Sequence, residues 1–521
     1  MTASKRIVLN IAATYGRSLL ALVCGLFTSR WVLMALGEVD FGLYGLVGGL
    51  AAIISFINIL LSGALSRYYA CSLGEAQCLK LVGKENEGLE ECRKWFNTAL
   101  MIHTVVPLVL ISVGYPIGVW AINHFLEIPA CRLDACIWVF RFVCIACFVG
   151  MVNVPFSAMY TAKQYIAELT LYSVAQTVCN TLFFYYMACH SGEWLISYAL
   201  WMCIASSVPQ AIICLRAFAV FPECRIMLST WGDWRRVRSL ARYAFWQAFG
   251  GLGYMFRTQG IAILVNKYFG AQVNAAMSVA NQVSSQTQTL VAAMSGAFQP
   301  AIATAFGAGE LEKVRGMAFR TSKFASILTL AFLVPLALEL PEIMRLWLKT
   351  PPQYSVGLCW LMMAVLLVDK ISLGHMLACN ASGKIAGYQA IGGTTLIASL
   401  PIAWIFVELG QGVYSIGIAL LITSLLNTIN RVVFARRIIG METFRWLTGT
   451  VCTVILATMV PGICCTLIAK WMSPSLARIL VTSILYEILF LPLIWLLALD
   501  PEERCVVSCK LKLLKDKIAS R

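Results

Sequence analysis

Arg17 and Arg257 each stand roughly midway along a long apolar run. No Asp or Glu occurs before Glu38, and none between Asp233 and Glu310. A guanidinium at bilayer depth costs at least ~2.5–3.5 kcal/mol on insertion scales, so it has to meet an anion, a cluster of carbonyls or water. A diphosphate suits it, because the planar fork can bind two oxygens at once. Arg141 lies nearer the end of another apolar run and has the reach to snorkel outward. A further patch is NQVSSQTQT, Asn281 to Thr289, where amides and hydroxyls surround a single valine. Asn281, Gln282, Ser285, Gln288 and Thr289 follow i, i+1, i+4, i+7, i+8 spacing, one stripe of a helix. Such a stripe suits a hydroxyl-rich ligand in a wet cleft. It also suits interhelical hydrogen bonds, worth under ~2 kcal/mol each. Asp369, beside Lys370, is either an ion-pair partner or an ion-coupling carboxylate, and Glu487 reads as structural.

The elements that carry these groups are set by composition. The chain has 521 residues, 60% hydrophobic and 12% charged, with a mean hydropathy of +0.79. A soluble protein of this length carries roughly twice that charged share. Apolar runs able to span ~30 Å of hydrocarbon recur from end to end, and the first, Ile7 to Leu36, is too long for a cleaved signal. The 20 cysteines lie mostly within these runs. Cys144-Ile-Ala-Cys147 is therefore read as small buried hydrophobes, since a redox pair needs accessible thiolates. The four histidines are scattered. No P-loop, HExxH or dinucleotide fingerprint occurs, which argues against a metal centre, an ATP-driven pump and an ordinary soluble-site enzyme.

Hydropathy and turn signals give an all-α integral membrane protein of about fourteen spans, at 9–35, 43–69, 96–122, 136–158, 170–189, 195–215, 244–268, 273–302, 322–346, 355–378, 387–408, 412–433, 447–470 and 478–499. Most of the 40 Lys and Arg fall on the side of the N-terminus; Arg30, Arg132, Lys267, Arg345, Lys349, Lys470 and Arg478 fall on the other. The positive-inside rule then places both termini in the cytoplasm. The net charge of +15 is thus mainly a topology signal, with no nucleic-acid partner implied. Trp231 to Tyr243 reads as a basic amphipathic helix for the inner leaflet, or as plain topogenic charge.

A 233-residue shift brings Leu36-Gly37 onto Phe269-Gly270, Ser62-Gly63-Ala64 onto Ser295-Gly296-Ala297, and Ala70 and Gly74 onto Ala303 and Gly307. It lays NQVSSQTQT over GGLAAIISF, Gly48 to Phe56, inside span 2. Six crossings separate the repeats, so both halves point the same way, as two six-helix lobes related by a pseudo-twofold with a cleft where they meet. The expected blocks are a lobe at 1–220, an amphipathic linker at 221–243, a lobe at 244–440, two added helices at 441–499 and a basic cytoplasmic tail at 500–521.

RWVLMALGEVDFGLYGLVGGL, Arg30 to Leu50, resembles the first extracytoplasmic turn and second span of bacterial polysaccharide flippases, members of the multidrug/oligosaccharidyl-lipid/polysaccharide exporter superfamily. VNKYFGAQVNAAMSVANQVSSQTQ, Val265 to Gln288, is similar to the start of their second lobe. The resemblance implies a two-lobe transporter of the cytoplasmic (inner) membrane. It would flip undecaprenyl-diphosphate-linked oligosaccharide by alternating access for surface polysaccharide biosynthesis, without cofactor or covalent chemistry. Such relatives place cations in their cavity, and Arg17 resembles that usage; Arg257 is a looser analogue. Arg17, Arg257, Arg141, Asn281, Gln282, Ser285 and Gln288 are then substrate-binding candidates, with Asp369 a candidate for ion coupling. Membrane lipids, a polysaccharide polymerase and glycosyltransferases are the expected partners. The rival is a multidrug exporter of the same fold coupled to a monovalent cation, which generally relies on embedded carboxylates that spans 1, 2, 7 and 8 lack. A membrane O-antigen polymerase or ligase is a third reading, weakened by outer connections of about a dozen residues at most.

Overall fold

The computed structural model describes residues 3–50, 52–80, 84–124, 128–227, 230–231, 233–348, 351–501 and 503–505. The expected tail from 506 onward lies outside the described residues, as do Lys349 and the side chains of Arg30 and of 48–63. Every described element is helical. Apolar runs in hydrocarbon can satisfy their backbone groups only within the segment or in a closed barrel.

The helices are α1 (Ala3–Leu50), α2 (Ala52–Lys80), α3 (Glu85–His124), α4 (Leu133–Ala162), α5 (Ile166–Cys189), α6 (Leu195–Val220), α7 (Trp234–Met255), α8 (Ile261–Gly307), α9 (Leu311–Leu338) and α10 (Leu340–Leu348). They continue as α11 (Ser355–Ile371), α12 (Leu373–Ser382), α13 (Ala386–Ile397), α14 (Ser399–Glu408), α15 (Tyr414–Ile439), α16 (Thr443–Trp446), α17 (Thr453–Trp471) and α18 (Leu476–Leu493). Each expected span falls on one of these helices or on adjoining ones. Among the described residues, eight helices are long and apolar enough to cross a membrane by length and composition, and ten if two bent pairs each count as one span.

Spans 1 and 2 meet within α1 at Gly37 (φ 72°, ψ 172°), and spans 7 and 8 meet within α8 at Gly270 (φ 79°, ψ 179°). The 233-residue shift pairs these two glycines. Only glycine enters this region of positive φ without a steric penalty, so the repeat preserves a bend that side-chain identity hardly reveals. The expected linker is not separate from span 7, since α7 starts at Trp234 and runs unbroken to Met255. Its expected apolar face divides: Leu240 is buried, whereas Trp234 is 75% exposed.

The chain forms two compact units, Met1–Ala248 with Gly296–Leu311, and Phe249–Ser295 with Glu312–Arg521. In the first, α3, α4 and α6 close a core around Ile122, Val139, Phe140 and Cys144. Cys144 and Cys147 are free thiols. The same unit contains a reciprocal contact. A Cβ at Gly74 would strike the backbone of Thr304 and stand 2.8 Å from Ala308 N, and one at Gly307 would stand 2.6 Å from Cys71 Cα. Thr304 and Gly307 are the shifted counterparts of Cys71 and Gly74, so these two helix ends meet through the same residues twice, the mark of a local twofold.

In the second unit, α8 to α11 and α15 enclose a core of Ile261, Leu264, Met277, Leu340, Leu358 and Leu420 among others. The two added helices pack Tyr486 and Phe490 against Leu330 of α9. They are also tied by Arg478, whose Nε donates to Glu339 at 2.9 Å, and Glu339 is fully buried. Beyond α18, Glu503 accepts from the buried Lys323 of α9 at 2.7 Å.

Candidate functional site

Arg257 sits on a π-helical turn, Phe256–Gly260, that joins α7 to α8. Such turns add a residue to the ladder and re-aim side chains. The glycines of α7 let its end lie close to α13: a Cβ at Gly253 would stand 2.7 Å from Gly393 O. The sequence offers Arg257 no nearby carboxylate, but the fold supplies one. Arg257 is only 6% exposed, with Nη1 3.8 Å from Asp369 Oδ2.

Asp369 lies near the end of α11 and serves a second guanidinium. Arg431 Nη2 of α15 stands 3.8 Å from Asp369 Oδ1, and Ser424 Oγ donates to the same oxygen at 2.9 Å. Asp369 therefore pairs with spans 7 and 12. Lys370 follows directly. Two guanidinium groups thus share one carboxylate in the second unit.

The setting is a broken helix. α11 and α12 meet at Ser372 with a bend of 47°, which leaves carbonyls of the last turn of α11 without intrahelical donors. Thr428 Oγ1 donates to Val368 O at 3.1 Å, Arg431 Nη1 to Asp369 O at 2.9 Å, and Trp446 Nε1 to Ile371 O at 3.1 Å. Irregular backbone at membrane depth persists only when neighbours satisfy it in this way.

Arg431 stands near the end of the expected span 12, where a basic residue reads as a topology signal, so the sequence does not single out this network. A signal existed. Ser424, Asn427, Thr428 and Arg431 recur at i, i+3, i+4, i+7 on one face of α15, and the first three are buried.

The other candidates lie apart from this cluster. Arg17 is exposed on α1 and, among the described residues, pairs with no carboxylate. Arg141 is exposed on α4, where its Nε donates to Tyr115 Oη at 2.8 Å and its guanidinium stacks 4.7 Å from the Trp138 ring centroid. NQVSSQTQT is helical throughout, inside α8. Gln282, Ser285, Gln288 and Thr289 are exposed, Asn281 is half-buried, and Thr287 is turned inward at 6% exposed. The hydroxyls of Ser285 and Thr289 donate to Gln282 O and Ser285 O. Among the described residues the amides of Gln282 and Gln288 make no side-chain hydrogen bond, so their donors and acceptors are free for a ligand.

No protein-family profile and no curated protein sequence matches the chain. Solved structures do. A MATE transporter in complex with MaD3S superposes with a TM-score of 0.67 at 15% identity, over 84% of this chain and 97% of that one. The outward-facing conformation of a multidrug resistance MATE family transporter of the MOP superfamily gives 0.67 at 15%, over 84% and 96%. A MOP superfamily transporter from Pyrococcus furiosus, described as having a binding pocket of reversed polarity that suggests a different function, gives 0.65 at 14%, over 84% and 96%. Across most of its length, this chain therefore has the fold of the MATE transporters of the MOP superfamily.

Proposed function

We propose that the protein is an alternating-access transporter that moves undecaprenyl-diphosphate-linked oligosaccharide across the cytoplasmic membrane. The observation that supports this reading is the sign of the charge at membrane depth. Arg17 pairs with no carboxylate among the described residues, and Asp369 faces two guanidinium groups, Arg257 and Arg431, with Lys370 next to it in sequence. A diphosphate headgroup crossing hydrocarbon needs cations and water on its way, and guanidinium forks supply the first.

In this reading Arg17 is the principal phosphate ligand of the first unit. The exposed amides of Gln282 and Gln288, with Ser285 and Asn281, hydrogen-bond sugars in the second, because polar side chains at this depth are tolerated facing water or protein and not lipid. Arg141, stacked on Trp138, offers an outer phosphate contact. Arg257 enters in a changed role. Asp369 is shared, so Arg257 can turn to a phosphate while Arg431 keeps the carboxylate neutralised. No covalent step is required.

The second reading, a cation-coupled multidrug exporter, draws on the multidrug resistance transporter among the fold neighbours. It requires Asp369 to release its guanidinium partners and take up a cation. Proteoliposomes separate the two. The flippase exposes a labelled lipid-diphosphate oligosaccharide to an external glycosidase at a rate that falls in Arg17→Ala. Sodium- or proton-driven dye efflux that is lost in Asp369→Asn, with no effect on the lipid, would sink the flippase in favour of the exporter.

A further inference from the structure

The second unit carries a groove of about 600 Å³ between the start of α8 and α14. Phe256, Gly260 and Ile263 form one wall, and Leu400, Pro401 and Trp404 the other. Gly260 opens the floor, since a Cβ there would stand 3.2 Å from Leu400 Cδ2. Ile263 is 70% exposed. Apart from the Gln259 amide the middle of the groove is apolar, and a bound water needs two to four polar partners. An empty concavity would forfeit the dispersion contacts of its lining. Hydrocarbon is the occupant that fits.

One end of the groove is different. Lys267 is exposed and, among the described residues, pairs with no carboxylate; its Nζ lies 5.6 Å from the Tyr268 ring centroid. Tyr268 Oη donates to Glu408 Oε1 at 2.6 Å, and Trp404 Nε1 donates to Tyr268 Oη at 2.9 Å. Glu408 is held by Tyr268 and Trp404 and forms no ion pair with Lys267 among the described residues, so the ammonium stays free to contact a phosphate. A Tyr-Trp pair beside a lysine is what a membrane–water boundary selects. The helical rise from Phe256 to Lys267 is about 17 Å, close to half of the ~30 Å hydrocarbon core. The groove therefore has the depth of one leaflet, with its cation where that leaflet's headgroups lie.

We propose that this groove is a binding site for a phospholipid with an anionic headgroup, one acyl chain lying along Phe256, Ile263 and Leu400 and the phosphate at Lys267. The lipid is a resident of the membrane and not the transported species, so the site goes beyond the transport reading and does not depend on it.

The test is native mass spectrometry of the full-length protein in detergent, incubated with phosphatidylglycerol or phosphatidylcholine. Wild type is expected to retain phosphatidylglycerol in preference to phosphatidylcholine. Lys267→Gln should lower phosphatidylglycerol retention about fivefold, the weight of one basic residue at an anionic surface, and leave phosphatidylcholine unchanged. Ile263→Trp fills the groove from its open side and should lower retention of both lipids, with thermal unfolding confirming that the variants fold. Equal retention of both lipids by wild type and Ile263→Trp overturns the proposal. A dimer that Ile263→Trp dissociates, with no lipid retained, also overturns it by giving the groove to a second copy of the chain.

Discussion

Arg17 and Arg257 both belong to the spans that open the two repeats, yet they meet opposite environments. Arg17 is exposed with no carboxylate partner among the described residues, while Arg257 is buried against Asp369. The repeat explains why they need not agree. A shift of 233 residues takes Arg17 to Gly250, where the missing Cβ lets Gln389 approach, and it takes Cys24 to Arg257. What the two halves share is backbone, shown by the bends at Gly37 and Gly270. What they do not share is charge. Duplicated architecture thus leaves each half free to place its cations differently, one exposed and one paired with a carboxylate.

The strongest test of that contrast is stability. Asp369→Ala strands the buried Arg257 guanidinium and removes a partner of the half-buried Arg431, and should cost about 3–5 kcal/mol, whereas Arg17→Ala, at an exposed position, should stay within about 0.5 kcal/mol. Thermal unfolding in detergent reads both, and equal losses would erase the distinction between the two arginines. The same pair sharpens the contrast through transport. Arg17→Ala should lower lipid exposure in proteoliposomes at least about tenfold, the equivalent of one lost charge-assisted contact of ~1.4 kcal/mol. Arg17→Lys should recover part of it, because an ammonium keeps the charge but not the fork.

A smaller effect is expected at the reciprocal helix contact of the first unit. Gly74→Leu and Gly307→Leu should each destabilise by about 1–3 kcal/mol through overpacking. Gly296→Leu, where a Cβ has nothing within 4 Å, should be tolerated. If Gly74→Leu and Gly307→Leu differ greatly, the local twofold is not the organising feature. The mildest test concerns thiols between spans. Burial pushes the Cys224 thiol up to about 12 and raises that of Cys92, while Cys78 and Cys131 are exposed. At pH 7.5 a maleimide should therefore label Cys78 and spare Cys92 and Cys224 until the chain unfolds, since thiolate is the reacting form. Used on intact cells, an impermeant maleimide should reach Cys131 and miss Cys78 if both termini are cytoplasmic; the reverse pattern would invert the proposed topology.

Helices and their number were legible in advance because hydrocarbon permits few backbone arrangements, so apolar length alone names the element. The helical state of NQVSSQTQT was likewise readable from the repeat, which lays it inside span 2; that Thr287 turns inward was not. The Asp369 network was not. Its members come from 257, 369, 424 and 431, and no local pattern reports which distant helix a side chain meets. Arg431 misled further by standing near a span end, where basic residues usually serve topology. The break at Ser372 was equally hidden, since its carbonyls are satisfied by Thr428, Arg431 and Trp446 from later helices.

By itself, then, the sequence determined the solvent this chain must live in, the helical elements that follow and the repeat that arranges them, because these depend on composition and short-range periodicity. Only the tertiary structure decided which arginine is open and which is held, and where a groove with a cation at its mouth would form. Those outcomes depend on which side chains from far-separated helices come within a few ångströms at low dielectric, where a single carboxylate changes what a neighbouring charge can do.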